Sequence, residues 1–272
     1  MVGNDFKKTI EFHKHFSVKE ISSFPISVIN INDLNEEVIK KYQHFDFIPV
    51  KKDGNIIGVF ERNLMQADDI IRHFEDHFRS LGEEMLIEAE ASLNELIHKF
   101  NSDSPYLLVL RGARIEGIVT RSDLLKLPVR VFAFSLIAEL ELLMKERIIS
   151  IYSSKKDEDW LIHLSEGRKI GLHKRYLKYQ SNKLDPNKID LTTLEDKATI
   201  LKKSTKLTNK FSKTVASIIQ LRNQLVHARD YASTNEELDV FLERLDKTYW
   251  LIRELHGYEI EEKNGEVWGE GE

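Results

Sequence analysis

The segment from Leu221 to His227 reads Leu-Arg-Asn-Gln-Leu-Val-His and contains the side chains best suited to chemistry. Histidine titrates near neutral pH and suits general acid–base catalysis, and arginine can hold a phosphate through two donors. On a helix, Arg222 falls inside an apolar arc whose core stripe is Phe211, Ile218, Leu221 and Leu225. Because a guanidinium stays charged there, Arg222 should meet a carboxylate, a partner subunit or an anionic ligand.

The flanks of this helix carry further expectations. Val215, Ile219 and Val226 should widen the apolar arc on one side, and Asn223 and His227 lie one turn apart on its far edge. In a less specific interpretation, Arg222 pairs with a glutamate of another helix and His227 is an ordinary, partly buried histidine. Glu139 and Glu141 are the candidates for pairing with Arg222 or orienting His227, and the sequence does not choose between them.

The Arg-Asn-x-x-x-His spacing of Arg222, Asn223 and His227 resembles the signature of HEPN ribonucleases. The resemblance implies an all-α helical bundle that cleaves single-stranded RNA without metal. In that role Arg222 would steady the scissile phosphate, His227 would move protons at the 2′-hydroxyl or the leaving oxygen, and Asn223 would hold the local geometry. The helix also offers more apolar face than one small bundle needs, so we expect a homodimer with a composite site.

An internal repeat occupies the N-terminal half. A Gly-containing turn joins two β-rich runs in each copy, Asp46–Val50 with Ile56–Phe60 and Tyr106–Leu110 with Ile115–Val119. When Gly58 is aligned with Gly117, Val50 also aligns with Val109. A helix with a capping-box pattern precedes each hairpin, at Asp33 with Glu36 and at Ser92 with Glu95. Each copy thus predicts a helix, a hairpin and a further helix.

This unit, found twice, resembles a pair of CBS domains. In CBS pairs that bind adenine nucleotides, the Thr and Asp of the segment Gly117-Ile-Val-Thr120-Arg-Ser-Asp123 contact the ribose hydroxyls, so the resemblance implies an adenine-nucleotide site at Thr120 and Asp123. The first copy has Glu61 and Leu64 at the matching positions, which makes a symmetric site doubtful. The alternative is that Thr120 and Asp123 only cap the next helix.

Two other clusters could carry chemistry. His73 and His77 lie one helical turn apart, a spacing that could hold a metal in a hydrolase, but a solvated helix face explains it better, and we predict no metal site. Lys203, Lys206, Lys210 and Lys213 would form a basic stripe for an RNA backbone if they lay on one continuous helix.

Composition sets the frame for these motifs. The 272 residues carry a net charge of −5, 41% hydrophobic residues and no cysteine, which excludes disulfides and thiolate chemistry and fits a cytoplasmic protein. The apolar stretch from Val129 to Met144 is interrupted by Glu139 and Glu141, so we expect no membrane span. The predicted fold class is α+β, with an extension (1–20), a CBS pair of two βαββα-like repeats (21–128), a HEPN-type bundle (129–258) and a disordered acidic tail (259–272).

The combined prediction is a metal-independent endoribonuclease regulated by an adenine nucleotide at the CBS pair. The two resemblances suggest a role in stress response, toxin function or antiviral defence. The alternative is a non-catalytic protein in which the bundle dimerises or binds a partner under CBS control.

Overall fold

A computed structural model describes residues 15–33, 36–42, 44–62, 78–100, 104–152, 158–205, 207, 209–226 and 232–261, without the side chains of residues 36, 39 and 257–261. The described residues form two compact units, 15–129 and 130–261. The first is mixed α/β and the second is helical, as the predicted α+β class requires.

The first repeat is a four-stranded sheet in the order β1-β2-β3-β4. Strand β1 (Ile29–Asn30) is parallel to β2 (Phe47–Lys52), and helix α1 (Glu36–Lys41) lies between them in the chain. Strand β3 (Asn55–Glu61) returns antiparallel to β2 and pairs on its other side with β4 (Phe78–Ser80). Positive φ angles of 48° at Asp53 and 90° at Gly54 close the β2–β3 hairpin, in agreement with the predicted turn.

The second repeat reproduces this arrangement. Strand β5 (Leu86–Glu88) is parallel to β6 (Tyr106–Arg111), helix α2 (Leu93–Lys99) connects them, and β7 (Arg114–Thr120) is antiparallel to β6. Val50 pairs with Gly58 and Val109 pairs with Gly117, and each ladder then shifts register at the next residue. The predicted internal repeat is therefore confirmed in its strand register.

The cap predicted for the second repeat is also present, because the Ser92 hydroxyl accepts a hydrogen bond from the Glu95 amide at 3.1 Å. The equivalent cap at Asp33 and Glu36 depends on residues outside the described part of the chain.

The two repeats share a core. Val59 of the first repeat packs with Met85, Tyr106 and Leu108, all four of them buried. The rings of Phe47 and Tyr106, which are equivalent residues in the two repeats, lie 4.5 Å apart between centroids. The N-terminal unit is therefore one folded body made of two similar halves.

The segment 15–26 precedes the first repeat in the chain but packs on the second. The amide of Val18 donates to Ala91 O at 2.9 Å, and the amides of Ser23 and Ile26 donate to Ile118 O and Glu116 O at 2.9 Å each. The ring of Phe24 covers Gly117 in the same way as Phe78 covers Gly58. The described part of the predicted N-terminal extension, residues 15–20, thus belongs to the N-terminal unit.

The C-terminal unit is built from long helices. These are α3 (Leu127–Tyr152), α4 (Glu166–Ser181), α5 (Leu194–Ser204), α6 (Asn209–Val226) and α7 (Asn235–Glu261). Pro128 stands in the first turn of α3, where a missing amide hydrogen costs nothing. Between α3 and α4, Asp159–His163 form a five-residue 3-10 helix. Within the described ranges, no helix has the length and apolarity needed to cross a bilayer.

Candidate functional sites

Thr120 and Asp123 lie together at the end of β7, where the chain enters a short 3-10 helix, Arg121–Leu125. The Asp123 Oδ2 atom accepts from the Thr120 amide at 2.6 Å and from the Thr120 hydroxyl at 2.9 Å. Asp123 is 8% exposed, so this carboxylate is held in one orientation. These bonds are those of the capping alternative, and they also place a buried carboxylate beside a hydroxyl, as a ribose site requires.

Lys126 is a third member of this cluster. Its ammonium lies 2.7 Å from Asp123 Oδ1 and also donates to the carbonyl of Ile21, in the N-terminal segment. A carboxylate offers about four acceptor positions, and the contacts with Thr120 and Lys126 use three of them. This count leaves one acceptor position on Oδ1 without a partner among the described residues. Lys126 was not among the predicted site residues, although its place three residues after Asp123 is visible in the sequence.

The equivalent position in the first repeat has a different arrangement. Glu61 replaces the threonine, and its Oε1 atom accepts a hydrogen bond from the Tyr106 hydroxyl at 2.8 Å. Tyr106 is 2% exposed. Burial, and then the hydrogen bond to Glu61, raise the pKa of the Tyr106 hydroxyl well above its ordinary value.

In the helical unit, α6 confirms the predicted core stripe. Phe211, Ile218, Leu221 and Leu225 are all buried, and so is Val215. Val226, on the flank of this stripe, is 62% exposed, so the bundle does not cover that part of the apolar arc. It lies about 100° around the helix from Leu225, beyond the edge that packs in the bundle. Ile219 is half-buried.

Arg222 lies at the border of the buried stripe and is partly exposed. Among the residues that the structure describes, it has no hydrogen bond or ion pair. Neither Glu139 nor Glu141 pairs with Arg222 in this part of the chain. That one of them orients His227 stays a prediction, because His227 lies outside the described residues. Glu141 lies 2.9 Å from the buried Lys197 ammonium, and Glu139 lies 3.8 Å from His256.

The other two predicted catalytic residues are Asn223 and His227. Asn223, next to Arg222, is exposed on the same helix. His227 follows the last described residue of α6 and lies outside the described residues, so its role stays a prediction. The same holds for His73 and His77, which the metal alternative needs.

The condition for a lysine stripe is not met, because the helix that would carry it is not continuous. Helix α5 ends at Ser204, and Thr205 is extended. Lys203 donates to the carbonyl of His163 at 2.9 Å, and the ammonium of Lys210 lies 5.3 Å from the centre of the Trp250 ring. Lys206 lies outside the described residues.

Comparisons with known proteins address the N-terminal unit. Residues 83–130 match the family model of the CBS domain. This match and the repeated strand register support a CBS-domain pair. No curated protein matches the chain.

Solved structures with similarity to the chain include the CBS domain pair of protein MJ0100 in complex with 5′-methylthioadenosine and S-adenosyl-L-methionine. It is 16% identical with a TM-score of 0.33, and the match covers 43% of this chain and 98% of that one. A conserved protein domain of unknown function from Neisseria meningitidis MC58 is 16% identical with a TM-score of 0.34, over 44% and 82% of the two chains. A CBS domain of a membrane protein from Sphaerobacter thermophilus is 15% identical with a TM-score of 0.32, over 44% and 93%.

Proposed function

We propose that this protein is a metal-independent endoribonuclease whose activity is regulated by an adenine nucleotide bound to its CBS pair. The observation that supports the nuclease most directly is Arg222, a permanent cation at the edge of a buried stripe with no anion partner among the described residues. A phosphate diester would supply the missing anion through two charge-assisted hydrogen bonds. RNA and free nucleotides are cytoplasmic, and we propose that the protein acts there.

In this proposal the reaction is a transesterification. The 2′-hydroxyl of the RNA attacks the adjacent phosphorus, the bond to the 5′ oxygen breaks, and the products are a 2′,3′-cyclic phosphate and a 5′-hydroxyl. His227 would take the proton of the 2′-hydroxyl or give one to the leaving oxygen. Arg222 would stabilise the charge that builds on the phosphate oxygens, and Asn223 would fix the local geometry.

A homodimer belongs to the same proposal. Ser212, Ala216, Ile219 and Asn223 recur along one side of α6, and each is partly or fully exposed among the described residues. Ser212 and Ala216 are small, so a second helix could approach this part of the face closely. A two-fold axis there would bring the two copies of Arg222 and His227 together, because a two-fold interface joins the same patch on both subunits.

The sensor part of the proposal uses Thr120 and Asp123. The open acceptor position on the Asp123 carboxylate suits a ribose hydroxyl, and the nearby Lys126 ammonium suits a nucleotide phosphate. The buried strand from Leu107 to Val109 would form one wall of the slot for the base. Nucleotide binding would then activate or inhibit the nuclease.

The alternative function is a non-catalytic regulator, in which the bundle dimerises or binds a partner under CBS control. The same exposed face of α6 favours it, since a dimer interface needs no chemistry. The two candidates differ only in whether Arg222 and His227 act on RNA.

The deciding experiment is cleavage of a labelled single-stranded RNA by the purified full-length protein in EDTA. We expect cleavage, and we expect Arg222→Ala and His227→Ala each to lower the rate by about 100-fold or more. Matched controls are Arg175→Ala and His173→Ala, both exposed residues of α4, which should retain full activity. Cleavage that is unchanged in His227→Ala, with the dimer intact, would refute the catalytic assignment and leave the regulator.

The sensor is tested separately by calorimetry with AMP, ADP and ATP. Asp123→Asn keeps an oxygen for the Thr120 amide but loses the charge, and it should abolish binding. Asp46→Asn, at an exposed aspartate, is the matched control and should bind normally. Heat of binding that survives in Asp123→Asn would refute this site.

A further inference from the structure

The strand pairing fixes which residues of the two repeats are equivalent. Phe47 faces Glu61 across the β2–β3 ladder, and Tyr106 faces Thr120 across the β6–β7 ladder. Glu61 therefore occupies in the first repeat the place that Thr120 occupies in the second.

At the first position, the Glu61 carboxylate already accepts a hydrogen bond from a side chain of the second repeat. The Tyr106 hydroxyl donates to Glu61 Oε1 at 2.8 Å, and its ring is almost fully buried. At the second position, the equivalent aromatic residue is Phe47, which has no hydroxyl to donate. The Thr120 hydroxyl is left with Asp123 and Ser122, its own neighbours in the chain.

The charged side chains also differ between the two positions. Two carboxylates, Glu61 and Glu84, and one guanidinium, Arg79, act electrostatically on Tyr106 in the first position. Glu84 and Arg79 lie 3.7 Å apart, and Glu61 places a carboxylate where the second repeat has the neutral Thr120. The second position has Asp123 balanced by Lys126 at 2.7 Å. An anionic ligand would meet the Glu61 carboxylate at the first position, and at the second it would meet the partly exposed Lys126 ammonium that is paired with Asp123.

We infer that the bond between Tyr106 and Glu61 closes the ligand site of the first repeat, so that the CBS pair binds one adenine nucleotide per chain, at Thr120 and Asp123. This inference rests on the proposed nucleotide binding at Thr120 and Asp123, and it adds the stoichiometry and the contact that closes the other site. The sequence supports the closure, because the position that matches Asp123 in the first repeat is Leu64, which cannot accept a ribose hydroxyl.

The test is the number of ligands bound per chain at saturation, measured by equilibrium dialysis of the full-length protein with radiolabelled AMP, ADP and ATP. We expect one ligand per chain for the wild type and none for Asp123→Asn. Thr120→Val is a second variant at the same site and should weaken binding at least 10-fold. Glu61→Gln keeps an acceptor for Tyr106 and should still bind one ligand, with a dissociation constant within about threefold of wild type.

Two ligands per chain, or binding lost in Glu61→Gln, would overturn the inference and leave the proposed nucleotide binding in place. One ligand remaining in Asp123→Asn would overturn the site at Thr120 and Asp123, and with it both the inference and the proposed sensor site. No binding of any of the three nucleotides to the wild type would overturn both. Photolabelling with 8-azido-AMP gives an independent readout, because the label should map to peptides of the second repeat, and label on β2 or β3 alone would contradict the inference.

Discussion

Replacing Tyr106 by phenylalanine tests the closing bond through protein stability. The substitution removes one buried hydroxyl that donates to the Glu61 carboxylate at 2.8 Å and changes little else in shape. Hydrogen bonds to charged groups contribute about 1.5–3 kcal/mol, and Glu61 is half-buried, so we expect the lower end of that range near neutral pH.

The penalty should depend on pH, and its sign follows from the raised pKa of Tyr106. An unfolded tyrosine loses its proton near pH 10, while the folded chain keeps the proton on Tyr106. The stabilisation is therefore fully present below pH 10 and is lost as the pH rises above it. Between pH 8 and pH 11, loss of the tyrosine proton in the unfolded chain lowers the free energy of unfolding of the wild type by about 1.4 kcal/mol. Tyr106→Phe has no such proton, so at pH 11 its stability should be nearly equal to that of the wild type.

The assay is urea unfolding of the full-length protein at both pH values, followed by circular dichroism. The difference in unfolding free energy between wild type and Tyr106→Phe should shrink from about 1.5 kcal/mol to near zero. In a Glu61→Gln background the penalty at pH 8 should be smaller, because the acceptor is then neutral. An equal penalty at pH 8 and pH 11 would refute the argument that this proton is retained by the fold.

Three further predictions can be read in the same unfolding assay. Gly58→Ala should destabilise by about 3 kcal/mol, because its Cβ would lie 2.3 Å from the backbone oxygen of Arg79. Gly117→Ala should cost less, because the three atoms nearest to its Cβ all belong to the Phe24 side chain. Gly171→Ala should stabilise the helical unit by about 1 kcal/mol, because nothing lies within 4 Å of the added carbon. Thr193→Ala should cost about 1 kcal/mol, because the Thr193 hydroxyl caps α5 by accepting from Asp196 N at 3.2 Å. Opposite signs in any of the three would contradict the geometry.

The sequence predicted those features that depend on neighbouring residues. The pairs Val50–Gly58 and Val109–Gly117 follow from two hairpins with the same turn length, and the Ser92 cap and the core stripe of α6 follow from helical spacing. The repeat and the α+β class could therefore be read without coordinates.

Contacts between distant segments could not be predicted in this way. Lys197 forms an ion pair with Glu141 of another helix. No local sequence pattern shows that Glu141 pairs with Lys197 and not with Arg222. Tyr106 meets Glu61 only because the two repeats pack together. The same reasoning applies to segment 15–26. No pattern in its sequence predicts that it will form backbone hydrogen bonds with strand β7, which lies far along the chain.

That pairing has a practical consequence for anyone who wishes to study the matched CBS segment by itself. A fragment starting at residue 83 would lack the Ser23 and Ile26 backbone groups that satisfy the outer side of β7, and Lys126 would lose its carbonyl acceptor at Ile21. An uncovered sheet edge is a template for other chains. We expect such a fragment to self-associate and precipitate, and a fragment from residue 15 to residue 129 to stay monodisperse in size-exclusion chromatography.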